Sequence, residues 1–397
     1  MGRFDRSASL IISLAALMAC TSGPQPGPAA RDPVQQPPGE ARRTLVISVR
    51  VEPQTIAAKS LQQAGVTLET SRRLFNAGVA LLDSKGGWHP YLVEAIPALD
   101  TASWQVEPDG RMVTTFRLRS NVIWHDGTPL SAEDFVFAYQ VYATPDLGQS
   151  RSTPMSVMAD VVATGDRTFE VRWLRPYAQA DVVGAGSGGG GEFGPLPRHL
   201  LADSFRDASG SGAFDAFAGH PYWTRDYVGL GPYRLDRWEP GAFIEAVAFG
   251  GHILGRPKIE RVKMVFISDA NTTLSNTLAG EVHFASDDSI RFEQTRVLMR
   301  EWGPRSGGMI LSKPNLWRAS YFQLRPEVAS PRAILDLRVR RALAHAIDRI
   351  ALNDAMFEGA NIVGDTIVAP SVSYYAELER SITKYPYDLR RSEQLMR

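Results

Sequence analysis

The apolar positions of this chain change period several times, and each change predicts an element. Residues 43–49, RTLVISV, are rich in β-branched side chains and predict a first strand. A more polar stretch then predicts helix to about Leu82, closed by a turn at Gly86 and Gly87. In MVTTFRL, residues 112–118, alternation puts Phe116 and Leu118 on one face of a strand, and Glu107, Pro108, Asp109 and Gly110 ahead of it have turn composition. Residues 169–174, FEVRWL, alternate again. DANTTLSNTLAG predicts a short helix capped by Asp269, with Leu274 and Leu278 on one face and Gly280 just past its end, feeding a strand over 281–285. The clearest helical period is DLRVRRALAHAIDRI, residues 336–350. There Val339, Leu343, Ala346, Ile347 and Ile350 form one apolar stripe, and Arg338, Arg341, His345 and Arg349 fall on a solvated face. Strands and helices alternate loosely and no fixed-period repeat is present, which predicts α/β architecture with mixed sheets.

One stretch carries two readings. Residues 121–140, NVIWHDGTPLSAEDFVFAYQ, set His125 and Asp126 beside Trp124 and ahead of Glu133 and Asp134. Histidine among carboxylates is the composition of a general base or a metal site. The same letters also spell a strand end, an Asp-Gly turn and a helix start. Gly127 tolerates positive φ, Ser131 and Asp134 make a capping-box variant, and Phe135, Tyr139 and Tyr142 come next at helical spacing. No GxSxG and no locally spaced histidine pair accompanies them. The turn is therefore the expected reading, with a hydrolase using His125 and Asp126 or Asp134 as the alternative. GAGSGGGGEF, residues 184–193, formally contains GxGxxG, but Pro195 and Pro197 stand where a helix would have to begin, so a loop is expected.

Composition narrows the classes. The 397 residues are 44% hydrophobic and 22% charged, the profile of a soluble chain with a substantial core. Formal net charge is +0, which offers no footprint for nucleic acid. The single cysteine, Cys20, excludes intrachain disulfides and cysteine-based zinc sites, and no metal or cofactor is expected. Arg3 and Arg6 precede an apolar run over 10–19 that is too short to span a bilayer and fits a signal-peptide core. The run ends in Leu17, Met18, Ala19 and Cys20, which resembles the bacterial lipobox. Residues 1–19 are thus expected to be a lipoprotein signal peptide, Cys20 the acylated residue, and the Pro/Gly-rich stretch 20–43 a flexible tether outside the cytoplasm.

Four blocks, in this order, resemble the family 5 extracytoplasmic solute-binding proteins of ABC importers, the peptide- and nickel-type receptors. They are FRLRSNVIWHDGTPLSAEDFVFAYQ at 116–140, LPRHLL at 196–201, GLGPYRL with WEPG over 229–241, and DLRVRRALAHAIDR at 336–349. The resemblance runs from about Arg43 to the last residue. It implies a two-lobed periplasmic-binding-protein type II-like fold: lobe I over 44–80 and 175–265, an inserted subdomain over 81–174, and a partial lobe II over 266–397. Hinge strands are expected near 233–235 and 259–266. It further implies no catalysis, a monomer, a peptide or other small solute held by lobe closure, and ABC permease subunits as partners. A non-transport peptide sensor or chaperone is the alternative within the same fold. Glu52, Trp317 and Arg318 are the candidate ligand residues by expected position. Two departures bear on the site. Gly250-Gly251-His252-Ile253-Leu254 replaces the family's N-x-x-Y-W, and the chain stops inside a helix that resembles the family's YDPxxAxxLL, where relatives continue.

Overall fold

The computed structural model describes residues 44–61, 69–84, 86–183, 193–286, 289–302, 307–311, 319–370, 372 and 374–397. Cys20, Trp317, Arg318 and the glycine run 184–192 lie outside these residues.

Strand β1 (Thr44–Val49) forms as its β-branched run predicts. The next segment is not the expected long helix. Only α1 (Glu69–Phe75) is helical among the described residues up to Leu82, and β2 (Ala80–Leu82) already pairs with β3 (Trp88–Pro90). The turn between these two strands is the expected one, with Gly86 at φ 85° and Gly87 N donating to Asp83 Oδ1 at 2.8 Å. The polar stretch lacks a sustained apolar period. Its buried residues, Ile56, Ala57 and Leu61, are instead fixed by tertiary contact with the core.

β4 (Trp104–Val106), β5 (Met112–Arg117), β6 (Met158–Gly165) and β7 (Thr168–Trp173) make an antiparallel sheet in the order β4-β5-β7-β6. Met112, Phe116 and Leu118 face inward with Thr114, whose hydroxyl accepts from Trp173 Nε1 at 2.9 Å. Helix α2 (Ala132–Ala143) lies on this sheet through Phe135, which stacks on Phe169 at 4.1 Å between centroids, and Phe169 stacks in turn on Phe116 at 5.0 Å. Such offset aromatic pairs add to what area burial alone contributes. Helices α3 (Arg198–Ser211) and α4 (Phe214–Ala218) continue this body through Phe205 and Phe217.

The second sheet collects distant parts of the chain. β8 (Tyr233–Glu239), β9 (Phe243–Ala248) and β10 (Arg261–Phe266) form a meander. β1 adds parallel to β10, and β11 (Phe284–Ala285) adds parallel to β1, giving the order β11-β1-β10-β9-β8. The sheet thus extends past the boundary expected at 265, because α5 (Ala270–Leu278) carries the chain from β10 over β1. Asp269 caps α5 as predicted, accepting from Thr272 N at 2.7 Å, and Gly280 lies just past its end at φ 79°. Its buried face is Thr273 and Thr277 rather than Leu274 and Leu278, and Leu278 is exposed. Each threonine hydroxyl returns to the carbonyl four residues back, so the small polar pair can be buried without loss. The strand predicted over 281–285 shrinks to two residues.

Helix α6 (Phe292–Trp302) comes next. The predicted helix 336–350 is two helices, α7 (Leu337–Ala346) and α8 (Arg349–Phe357). Ile347 is extended, at φ −93° and ψ 112°, and Asp348 caps α8 by accepting from Ala351 N at 2.9 Å. Asp348 can serve the helix interior or a new cap, and the cap satisfies more orphan backbone groups. His345 and Arg349 are not merely solvated. His345 Nδ1 donates to Pro386 O at 2.7 Å, and Arg349 binds Asp365 and Gly364 O, each at 2.8 Å. Helices α9 (Tyr375–Ser381) and α10 (Leu389–Met396) complete the described chain, α10 packing on α7.

The aliphatic stripe of the last helices is largely on the surface. Leu343, Ile347 and Ile350 are 36%, 39% and 67% exposed. Among the described residues beyond Phe266, only Val282, Leu298, Ala329 and Ala342 are buried apolar side chains. The main core belongs to residues 47–264.

Candidate functional site

Two places gather the residues the sequence singles out. The first is a junction where three of the four blocks meet. Trp124 N donates to Thr128 O at 2.8 Å across a turn in which Gly127 takes φ 91°. His125 does not pair with Asp126. Its Nδ1 accepts from Gly229 N at 3.1 Å, so Nε2 carries the proton and donates to Gly231 O at 3.0 Å. Burial holds its pKa down at about 4, against an ordinary 6.5, although the bond to Gly231 opposes the shift. Asp126 lies instead against His199 Nε2 at 2.7 Å and accepts from Thr128 N at 3.0 Å. Burial pushes the Asp126 carboxyl up, but its hydrogen bonds outweigh that and hold it below its ordinary value. Both ring nitrogens of His125 are engaged by backbone, so the ring has no lone pair for general-base work.

Asp134 ties the same junction from α2. Its Oδ2 accepts from Ser131 N at 2.9 Å, Ser131 Oγ at 3.2 Å and Trp124 Nε1 at 3.4 Å, while Oδ1 accepts from Arg198 N at 3.0 Å. The carboxylate therefore closes the expected capping box and also serves the first turn of α3. Asp134→Asn places an amide hydrogen against donors in either orientation, so a loss of about 2 kcal/mol is expected in urea unfolding. A change within about 0.5 kcal/mol, the range of an ordinary surface substitution, would remove Asp134 from this role.

Sequence reasoning missed a neighbouring contact. His252 is buried, its Nε2 3.1 Å from Tyr91 Oη, and Gly251 before it lies where a Cβ would come within 2.7 Å of Ile123 Cδ1. A histidine and a tyrosine 161 residues apart give no local signal.

The second place is the carboxyl edge of the parallel strands. β10 and β11 flank β1, and the crossover through α5 joins them, so the chain order reverses at the end of β1. In open α/β sheets ligands bind at such a point. Val49 O accepts from Ile267 N at 2.9 Å and Ser48 O from Ser286 N at 3.0 Å, which seats Arg50, Val51 and Glu52 between the ends of both neighbours. Ser48 Oγ meets Ser289 Oγ at 3.1 Å, and Thr70 Oγ1 meets Ser286 Oγ at 3.0 Å, so hydroxyls bind this edge to α1 and to the segment leading into α6. Glu52 stands at this edge with its carboxylate already engaged: Oε1 accepts from Trp238 Nε1 at 2.7 Å and Oε2 from Gly241 N at 2.9 Å. The WEPG block thus supplies both donors that hold Glu52. Among the described residues no group of three His, Cys, Asp or Glu side chains could hold a metal ion, and no helix is long and apolar enough to cross a membrane.

Comparison with known proteins agrees with this architecture. The oligopeptide-binding protein AppA of Bacillus subtilis is 22% identical over 296 residues, which are 73% of this chain and 49% of that protein. The glutathione-binding protein GsiB of Escherichia coli is 28% identical over 296 residues, 74% of this chain and 51% of that protein. The chain therefore spans about half the length of the curated relatives it matches. Among solved structures, NikZ of Campylobacter jejuni in complex with Ni(L-His) superposes with a TM-score of 0.66 at 21% identity, covering 89% of this chain and 62% of NikZ. AppA with a nonapeptide gives 0.64 at 19% identity, covering 89% and 63%. The sequence profile described as "Bacterial extracellular solute-binding proteins, family 5 Middle" matches residues 94–397. That match takes in the blocks that meet at His125, Asp134 and Gly231, and the chain belongs to the family 5 bacterial extracellular solute-binding proteins.

Proposed function

We propose that this chain is the substrate-binding component of an ABC importer, holding an oligopeptide or a similar small solute and delivering it to the permease. The observation that carries the reading is the reversal of chain order at the carboxyl end of β1, where Arg50 follows the strand and Glu52 is held by Trp238. No bond is made or broken in this role. Closure of the second lobe over the first removes water, which strengthens hydrogen bonds and charge pairs to the solute. The permease then reads the closed form, whose population the solute raises.

In this reading the first-lobe sheet includes β11, the residues that follow it supply part of the second lobe, and residues 81–174 form the inserted subdomain. Trp317 and Arg318 remain proposed ligand contacts, Glu52 is held at the carboxyl edge of β1 by Trp238 and Gly241, and Cys20 is the proposed acylation site that tethers the receptor outside the cytoplasm. The relatives suit such a role for peptides in particular. AppA is named for oligopeptides and GsiB for glutathione, and an extended backbone can be held by main-chain bonds whatever its side chains. The bonded state of His125 argues against the hydrolase alternative.

Native mass spectrometry of the full chain, purified from the producing cells without denaturant, tests the reading. A distribution of adduct masses that fragments into peptide ladders is expected. A single sugar or nickel chelate would keep the receptor and replace its ligand. A chain that carries nothing and leaves every offered peptide unchanged and unbound would overturn the proposal.

A further inference from the structure

One charged group at the carboxyl edge of β1 has no assigned work. Arg50 is the first residue past the strand, half-buried between the ends of β10 and β11. Among the described residues its side chain enters no hydrogen bond, ion pair or ring contact. The nearest acid in sequence, Glu52, is spoken for by Trp238 and Gly241, so it does not neutralise the guanidinium. Most other arginines of the two sheets are matched: Arg117 and Arg167 with Glu94, Arg172 with Glu170, Arg237 with Glu239, and Arg261 with Asp236. An arginine withdrawn from water normally has a carboxylate or several carbonyls on its fork, because half-burial of an unmatched charge is unfavourable.

Resting on the receptor reading above, we infer that Arg50 is a specificity residue that takes a carboxylate of the bound solute. A planar guanidinium with five donors binds a carboxylate through two parallel hydrogen bonds, which selects for the ionised acid and against its amide. Three features place that contact at this edge. The strand ends converge there. The end of β1 is polar, with buried Ser48 Oγ against Ser289 Oγ and Ser286 Oγ donating to Ser48 O. The Trp238–Glu52–Gly241 bonds keep the acid nearest in sequence turned to the hairpin between β8 and β9. Glu52 acts here as a positioning residue that leaves Arg50 unpaired for the solute. A Glu52 carboxylate free of those bonds would compete with the solute for the guanidinium.

The test uses the full chain with synthetic pentapeptides that lack Asp and Glu, each as the free acid and as the C-terminal amide, by calorimetry. The parent protein is expected to hold the acid about tenfold to a hundredfold more tightly than the amide, the range of hydrogen bonds to a charged group. Arg50→Gln is expected to erase that preference by weakening binding of the acid to about the level of the amide. It should also melt with the parent, since Arg50 bonds no other described group. Equal binding of acid and amide by the parent, or a preference that survives in Arg50→Gln, overturns the role of Arg50 and leaves the receptor reading standing. If the parent binds neither form of any peptide, the peptide reading fails and the inference falls with it.

Discussion

Replacing Gly231 with alanine is expected to cost about 3 kcal/mol of folding stability, the upper part of the range for a forced overpacking clash. The reason is space rather than backbone conformation. A Cβ on Gly231 would fall 2.5 Å from both Asn76 N and Leu74 O and strike the carbonyl carbon of Phe75. All three are backbone atoms at the end of α1, so no rotamer change relieves the contact. Gly231 N also donates to Phe75 O at 3.0 Å, and moving the segment away would break that bond and the one from His125 to Gly231 O. Gly229 faces the same carbonyl, that of Phe75, and Gly229→Ala should behave alike. Gly241 is the control: it sits at φ 75° with open space around it, so alanine there should cost about 1 kcal/mol. Urea midpoints of the three variants would decide. Equal losses at 231 and 241 would mean that the approach to α1 is not tight.

Acid should weaken the same junction. His125 is held at about 4 when folded, against about 6.5 for an exposed imidazole, first because it is buried. The depressed value means that the unfolded chain takes up a proton before the folded one does. Stability is therefore whole above about pH 6.5, falls as pH drops towards 4, and loses about 3 kcal/mol across that window. The geometry gives the same sign, since a proton on Nδ1 would face the Gly229 N–H that it now accepts. His252 is depressed by burial too and adds a loss of the same direction. Asp126 adds to it lower down, because a lowered carboxyl loses its contribution as pH falls through its folded value. Unfolding free energies measured from pH 7.5 to 4 should slope downward in the parent and flatten in His125→Asn. A parallel slope in that variant would assign the loss to other groups.

Much of the local structure was legible in the letters. The Asp-Gly turn at 126–127 and the Ser131–Asp134 cap come from turn chemistry and formed as read, and of the expected face Phe135 and Tyr142 are buried while Tyr139 is half-buried. Misreadings fell where local and tertiary preferences differ. Residues 336–350 keep a helical period throughout, yet Asp348 starts a second helix because its side chain caps better than it packs. In α5 the leucines lose the buried face to two threonines that satisfy themselves on their own helix. The stretch 50–82 has no periodicity of its own, so its fold waits for neighbours.

The sequence by itself determined the family, through four short blocks in one order along the chain, and it determined the turns and caps within them. That is possible because caps and turns are fixed by bonds within about four residues. Only the tertiary structure decided what the blocks do to one another. It gave Asp126 to His199 rather than to His125, set His125 on Gly229 and Gly231 more than a hundred residues away, and locked Glu52 onto Trp238. These pairings depend on which strands lie side by side. In this chain β1 waits for β10 and β11, which lie more than two hundred residues further along. The candidate site is the edge that this long-range pairing creates, with Arg50 left unmatched just past the end of β1.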